Sequence, residues 1–140
     1  MSNEYNNSNV ATLGLDDFSI KDGTLYVING DFTEKVGLIM FYAPWCGHCK
    51  TMVPTLKKVA DENDNNDVVY GSVDCTDENM GNDKLTEVAQ IQGFPTIYTI
   101  HPSGKLSSYE GGRDEDGILT HIDKQVRKLQ SRNDKKSKKI

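Results

Sequence analysis

The feature that most constrains this chain is an apolar run that leads directly into two closely spaced cysteines. The run is VGLIMFYA, residues 36–43, and it is followed by PWCGHCK, residues 44–50. An apolar run of this length, rich in β-branched and aromatic residues, predicts a buried central strand. Two cysteines three positions apart are compatible with half of a zinc site, a structural disulfide or a redox couple. The surrounding residues must decide among these alternatives.

Strand and helix patterns alternate along the rest of the chain. The strand pattern recurs at residues 23–28, 68–74, 96–100 and 105–110. Helical spacing of apolar residues follows the cysteines to about residue 60, recurs over residues 85–89, and begins again after Asp114. The order β, β, α, β, α, β, β, α predicts an α/β fold with a central mixed β-sheet flanked by helices on both faces. Residues 15–21 stay unassigned.

The length and composition indicate a single globular domain. The chain has 140 residues, of which 36% are hydrophobic and 26% charged. No apolar run approaches the roughly 18 residues that a membrane span requires, so no membrane contact is expected. We predict a flexible segment at residues 1–14, the domain at 15–130 and a basic flexible tail at 131–140.

The distribution of charge bears on partners and on location. The net charge is −5, yet residues 131–140 hold five basic residues against one aspartate. The acidic body argues against nucleic-acid binding, and a short basic tail is usually solvated. The start of the chain lacks the features of a secretory signal, and its end, KKSKKI, is not an ER retention signal. We therefore expect a cytoplasmic location; a viral factory or virion is a second compatible setting.

The spacing of the cysteines suits a redox couple. If Cys46 opens the predicted helix, it lies roughly 5–6 Å from Cys49, within the span of a disulfide. Free backbone N–H groups and the helix dipole would stabilise a thiolate at Cys46, while Cys49 would be shielded. A protonated His48 would add positive charge and make the disulfide more oxidising. The alternative is that His48 is simply an exposed polar residue.

Zinc is the main alternative to redox chemistry at these cysteines. A structural zinc site needs four ligands, and the chain has no second pair at ligand spacing. The other candidate ligands are Cys75, His48, His101 and His121. We therefore predict no metal and no other cofactor. Cys75 is expected to be a small core residue, with a regulatory thiol as the alternative.

Two segments resemble a known family. FYAPWCGHCK, residues 41–50, resembles the active-site segment of protein disulfide isomerase domains in the thioredoxin superfamily, and GFPT, residues 93–96, resembles the family's cis-proline loop. The resemblance extends over roughly residues 23–130. It implies a thioredoxin fold and the formation, reduction or isomerisation of disulfides in protein substrates. A sulfhydryl oxidase or a reductase is a partner compatible with such chemistry.

The resemblance assigns a role to each motif residue. Cys46 matches the nucleophile and Cys49 the resolving cysteine. The positions that match the substrate-binding surface are Trp45, Gly47, Phe94 and Pro95. Trp45 is expected to pack under the active-site loop. Pro95 is expected to follow a cis bond, for which a proline is needed on energetic grounds, and an ordinary trans proline is the alternative.

Two positions depart from the family pattern, and they depart together. The family usually carries a buried acid six residues before the nucleophile and a lysine partner on the next strand, where this chain has Met40 and Ser72. Cys49 must lose a proton before it can attack a mixed disulfide, so the proton acceptor is left open. Arg113 resembles an arginine that swings toward the resolving cysteine and lowers its pKa. Water is another candidate, and Arg113 is alternatively a solvated surface residue.

A second class of function is also compatible with the sequence. The chain could be a redox-inactive or weakly active module that binds unfolded chains, as a chaperone does, through the surface around Trp45 and Pro95. The intact pair of cysteines favours the enzyme, because a purely binding relative need not keep both of them.

Overall fold

The computed structural model describes residues 4–137, which form seven strands and three α-helices. In chain order they are β1 (Val10–Thr12), β2 (Phe18–Lys21), β3 (Thr24–Val27), β4 (Val36–Tyr42), α1 (Gly47–Asp61), β5 (Val68–Asp74), α2 (Asn82–Val88), β6 (Thr96–Ile100), β7 (Leu106–Ser108) and α3 (Glu115–Ser137). Short 3₁₀ helices cover Leu15–Asp17, Gly30–Phe32 and Glu78–Met80. No helix within the described range is long and apolar enough to cross a membrane.

The main sheet has the strand order β1-β5-β4-β6-β7. β1 and β4 pair with β5 in parallel, whereas β6 and β7 are antiparallel additions. All seven residues of the central strand β4 are buried, because helices or loops cover both of its faces. The mixed sheet predicted from the sequence is therefore confirmed.

The two faces of the sheet carry different layers. α1 and α3 cover one face, where Leu56 and Ile118 join a core cluster with Met40. α2 and the β2–β3 hairpin cover the other face, where Leu85 and Phe18 pack in a second cluster. The prediction of helices on both faces is therefore confirmed. Side chains alternate between the two faces along β4, so this strand contributes residues to both clusters.

The β2–β3 hairpin corrects the predicted role of the first strand pattern. The segment 23–28 forms β3, which pairs with β2 in a separate two-stranded sheet rather than in the main sheet. Asp22 and Gly23 form the turn with φ values of 52° and 77°. An Asp-Gly pair is a strong signal for a two-residue hairpin turn, so this signal was present in the sequence.

The predicted domain boundaries also need correction. The prediction puts residues 1–14 outside the domain, but β1 pairs in register with β5, from Val10 opposite Tyr70, and Tyr5 is only 2% exposed. A three-residue strand is too short to show a periodic pattern. The predicted tail begins at residue 131, yet α3 continues to Ser137 because residues 115–137 contain many good helix formers. Residues 1–3 and 138–140 lie outside the described range, and the flexibility of both segments stays a prediction.

Candidate active site

The two cysteines lie at the start of α1. Cys46 is the N-cap residue with extended backbone angles, and the helix begins at Gly47. This confirms the prediction that Cys46 opens the helix and places Cys49 in its first turn. Both are free thiols in the structure. The first backbone N–H groups of a helix have no partner within it, so they are directed toward Cys46.

The environments of the two sulfurs differ. Cys46 is 9% exposed and Cys49 is 1% exposed. The pKa of Cys46 is lowered, first by the Cys49 thiol and then by the backbone N–H groups of Cys49 and His48. Burial, together with the hydrogen bond to Cys46, raises the pKa of Cys49 to about 12. The pair therefore contains one thiol that ionises easily and one that keeps its proton.

The cis-proline loop lies directly against Cys46. The Cys46 thiol donates a hydrogen bond to the Phe94 carbonyl at 3.4 Å, and it does not cap α1 in this protonated form. The Phe94–Pro95 bond is cis, as expected, and Pro95 is buried. The N–H groups of α1 thus remain available to the thiolate when Cys46 ionises.

The predicted substrate-binding residues form a surface beside the cysteines. Trp45 is 68% exposed, so the expectation that it packs under the active-site loop is wrong. Its ring instead meets the edge of Phe94, with centroids 5.8 Å apart and an angle of 81°. Gly47 is exposed next to it and Phe94 is half-buried. The indole therefore lies in solvent beside the loop that carries Phe94 and Pro95.

His48 and Arg113 both act on the pKa of Cys46. The His48 side chain is exposed, and the residue acts on the pKa of Cys46 through its backbone N–H. Arg113 is exposed and donates to the Pro95 carbonyl at 3.4 Å. Its charge helps to lower the pKa of Cys46, so its electrostatic effect falls on the nucleophile candidate. An effect of Arg113 on Cys49, as predicted from the resemblance, stays a prediction.

Met40 and Ser72 are direct neighbours in the sheet. They are register partners on β4 and β5, and they are 0% and 1% exposed. The Ser72 hydroxyl donates to the Ala11 carbonyl at 3.3 Å. Because adjacent parallel residues face the same side of a sheet, these two residues share the face that carries α1 and Cys49. The acid and the lysine that the family usually carries at these two positions would lie side by side as one buried pair. This chain has Met40 and Ser72 in their place.

A cavity beside Cys49 was missed from the sequence. It has a volume of about 140 Å³, and its lining comes from β4, α1 and the N-terminal segment. The lining residues are Glu4, Tyr42, Ala43, Pro44, Cys49, Lys50 and Val53. No local sequence signal connects Glu4 with Cys49, because their place in one cavity depends on how the N-terminal segment folds.

Cys75 and the remaining histidines lie in other parts of the fold. Cys75 is buried, and burial raises the pKa of its thiol to about 11. His121 is hydrogen-bonded to Thr99 at 2.8 Å, and His101 to Ser107 at 2.7 Å. Among residues 4–137, no group of three or more His, Cys, Asp or Glu side chains is placed to hold a metal.

Alkylation should distinguish the two active-site thiols. We expect iodoacetamide at neutral pH to label Cys46 first, because the thiolate reacts and the pKa of Cys46 is lowered. The rate should rise as the pH passes through the pKa of Cys46 and then level off, whereas Cys49 should stay protonated up to about pH 12. Peptide mapping after partial labelling measures the order, and labelling of Cys49 before Cys46 would contradict this assignment.

Comparison with known proteins places this site in a family context. The Thioredoxin family model matches residues 26–124. A protein disulfide-isomerase of Medicago sativa is 47% identical over 88 residues, which cover 62% of this chain and 16% of the relative. A protein disulfide-isomerase of Datisca glomerata is 36% identical over 125 residues, which cover 86% of this chain and 22% of that relative. The chain thus spans about a fifth or less of the length of these relatives.

The fold also resembles solved structures. Thioredoxin f from spinach chloroplast, in its short form, aligns with a TM-score of 0.62 and 24% identity. The alignment covers 90% of this chain and 99% of that protein. At this level of identity the likeness concerns the fold, and it agrees with the sheet order and helix placement described above.

Proposed function

Because this chain belongs to the thioredoxin family, we propose that it is a thiol–disulfide oxidoreductase of the protein disulfide isomerase type. Its thioredoxin domain is similar to the domains of protein disulfide-isomerases, which supports thiol–disulfide oxidoreductase chemistry. The observation that carries the finer proposal is the contrast between Cys46, whose pKa is lowered at the start of α1, and Cys49, whose pKa is raised by burial one turn later.

The proposed reaction has two exchange steps. The Cys46 thiolate attacks one sulfur of a substrate disulfide, the other sulfur leaves as a thiolate, and a mixed disulfide forms. The Cys49 thiolate then attacks the Cys46 sulfur, which releases the substrate as a dithiol and leaves the Cys46–Cys49 disulfide. The reverse sequence oxidises a substrate. Isomerisation results when a substrate thiol, instead of Cys49, resolves the mixed disulfide.

The proposed substrates are proteins that bear thiols or disulfides. The exposed Trp45 ring, the half-buried Phe94 ring and the Pro95 loop lie around the Cys46 sulfur, so they form the surface that a substrate segment would contact. Net turnover needs a second redox partner, either a sulfhydryl oxidase or a reductase. The cytoplasmic location stays a prediction, which localisation of the intact protein in its own cells would test.

Exposure of Trp45 also favours a second candidate function. An indole that is 68% exposed next to Phe94 is suited to bind apolar segments of unfolded chains. In that case the module would bind substrate while exchange is slow or absent. A binding module would suppress aggregation of an unfolded protein equally well after its cysteines are alkylated, whereas an oxidoreductase would lose its activity.

The reduction potential tests the proposal directly. We expect a value near the isomerase figure of about −180 mV rather than the thioredoxin figure of about −270 mV, since a stabilised thiolate favours the reduced form. The measurement is equilibration of the purified protein with glutathione buffers, read by trapping of free thiols. His48→Pro should shift the potential downward, because it removes both the imidazole and the backbone N–H that acts on Cys46.

The same preparation provides an activity control. A protein substrate with scrambled disulfides should recover its native pairing in a glutathione buffer when the chain is added. A potential at or below the thioredoxin value, together with no recovery of the scrambled substrate, would contradict the isomerase type.

A further inference from the structure

We propose that Glu4 accepts the proton that Cys49 must lose when it resolves the mixed disulfide with substrate. The N-terminal segment would then take part in the redox reaction. This inference rests on the proposed function, because it concerns the second of the two exchange steps.

The need for a proton acceptor follows from the environment of Cys49. The thiolate is the attacking form, yet burial raises the pKa of the Cys49 thiol, and that burial does not depend on the ionisation of Cys46. Met40 and Ser72, on the sheet face below α1, carry no group that takes up a proton at neutral pH. Among the described residues that line the cavity at Cys49, Glu4 supplies the one carboxylate.

The cavity joins the two groups. It has a volume of about 140 Å³, and both Cys49 and Glu4 line it. Its lining is mostly apolar, and the Glu4 side chain is exposed to solvent. In this proposal the proton passes directly or through a water molecule held by the Glu4 carboxylate and the Tyr42 hydroxyl. The proposed route does not run through the surface formed by Trp45, Phe94 and Pro95, since none of these residues lines the cavity.

Two tyrosines hold Glu4 at the cavity. The Tyr42 hydroxyl donates a hydrogen bond to the Glu4 carboxylate at 3.0 Å, and the raised pKa of Tyr42 keeps that hydroxyl a donor. Tyr5 is buried, its ring meets Tyr42 edge-on at 6.0 Å, and its hydroxyl donates to the Val53 carbonyl of α1 at 3.4 Å. The residue after Glu4 is thus anchored on the helix that carries Cys49.

Other titratable groups face the same region. Lys50 lines the cavity next to Cys49 in the sequence. Cys46 and Cys75 act on the pKa of Cys49 from the start of α1 and from the end of β5. Asp74 acts on Tyr42. None of these groups other than Glu4 and Lys50 lines the cavity, and the lysine ammonium cannot accept a proton.

The proposed step is balanced. The Cys49 proton passes to the Glu4 carboxylate, directly or through water, and the resulting thiolate attacks the Cys46 sulfur of the mixed disulfide. The Cys46–Cys49 bond forms as the Cys46–substrate bond breaks, and the electron pair leaves on the substrate sulfur. The substrate thiolate then takes a proton from solvent, and the Glu4 carboxyl returns its proton to solvent.

Glu4→Gln tests the inference because glutamine keeps the shape and the acceptor oxygen for Tyr42 but cannot take up the proton. The reduced full-length protein is mixed with one molar equivalent of an aromatic disulfide that releases a coloured thiolate at each step. The first phase reports attack by Cys46, and the second reports resolution by Cys49. We expect an unchanged first phase and a second phase roughly 100-fold slower, the lower end of what a positioned general base contributes.

The pH dependence and two control variants separate proton transfer from a structural role. Resolution in Glu4→Gln should accelerate by about tenfold per pH unit, as hydroxide replaces the carboxylate, and Glu4→Asp should restore part of the rate. Asp61→Asn is the matched control, because Asp61 accepts hydrogen bonds from Ser8 and Asn9 of the same segment at 2.9 and 2.7 Å, away from the cavity. Its second phase should equal that of the unmodified protein.

The outcomes that overturn the inference are distinct from failure of the proposed function. A normal second phase in Glu4→Gln, or equal slowing in Asp61→Asn, would show that the carboxylate is not the acceptor, while the first phase would still support an oxidoreductase. Loss of both phases in the unmodified protein would overturn the proposed function and this inference with it.

Discussion

Replacing Cys46 with serine is expected to reduce disulfide exchange to the uncatalysed background. The thiolate is the attacking group, and a serine hydroxyl neither ionises near neutral pH nor forms a disulfide. Cys49 cannot take over, because it is 1% exposed and burial raises its pKa to about 12. The measurement is insulin reduction with dithiothreitol as the reductant, compared with a reaction that lacks the protein.

The other two cysteines provide matched controls for this result. Cys75→Ser should retain nearly full activity, because Cys75 is buried at the end of β5 and its pKa is raised to about 11. In Cys49→Ser, Cys46 should still attack substrate. Mixed disulfides with substrate should then accumulate and be visible in a non-reducing gel. If Cys46→Ser keeps its activity, or if Cys75→Ser loses it, the assignment of the nucleophile is wrong.

The part of the site that the sequence predicts is the part that depends on local structure. An N-cap position follows from a strand, a short link and a helix pattern in direct succession, so the asymmetry between Cys46 and Cys49 could be expected from their spacing alone. The prediction of a cis bond before Pro95 rests on the resemblance to the family's cis-proline loop. The mixed sheet also followed from the sequence, since the order of elements leaves few possible topologies.

The part that could not be predicted depends on contacts between distant segments. Glu4 and Tyr42 are hydrogen-bonded although they are 38 positions apart in the sequence. No periodic pattern near residue 4 predicts that contact. β1 is only three residues long, and its register with β5 is a tertiary feature. The contact between Trp45 and Phe94, which lie on different loops, is also a tertiary feature. The Asp22–Gly23 turn is different, because an Asp-Gly pair is a local signal for a hairpin turn.

Met40→Glu is expected to lower the free energy of unfolding by about 3–5 kcal/mol, the usual cost of an uncompensated buried charge. Met40 is fully buried on β4 and packs in the cluster that includes Cys49. Urea unfolding measures the change. Met40→Leu is the matched control, since a volume-conserving apolar change should cost less than about 1.5 kcal/mol.

Adding Ser72→Lys should recover part of the stability lost in Met40→Glu. Met40 and Ser72 are register partners on adjacent parallel strands, so the two new side chains would lie side by side and could form a buried pair. Recovery should be incomplete, because Ser72 is buried and a lysine there must displace its neighbours. A double variant less stable than Met40→Glu alone would show that the two positions cannot hold the pair.

The kinetic effect of Met40→Glu should depend on whether Glu4 is present. A carboxylate at position 40 faces the same core cluster as Cys49, and burial raises its pKa toward the range that suits proton transfer. When Glu4 already accepts the proton, a second acceptor should change the resolving step little. In Glu4→Gln, by contrast, Met40→Glu should restore much of the lost rate.

The measurement is the decay of a trapped mixed disulfide near neutral pH. It compares the unmodified protein, Met40→Glu, Glu4→Gln and the double variant. Equal acceleration with and without Glu4 would mean that the two carboxylates act independently and that Glu4 does not serve Cys49.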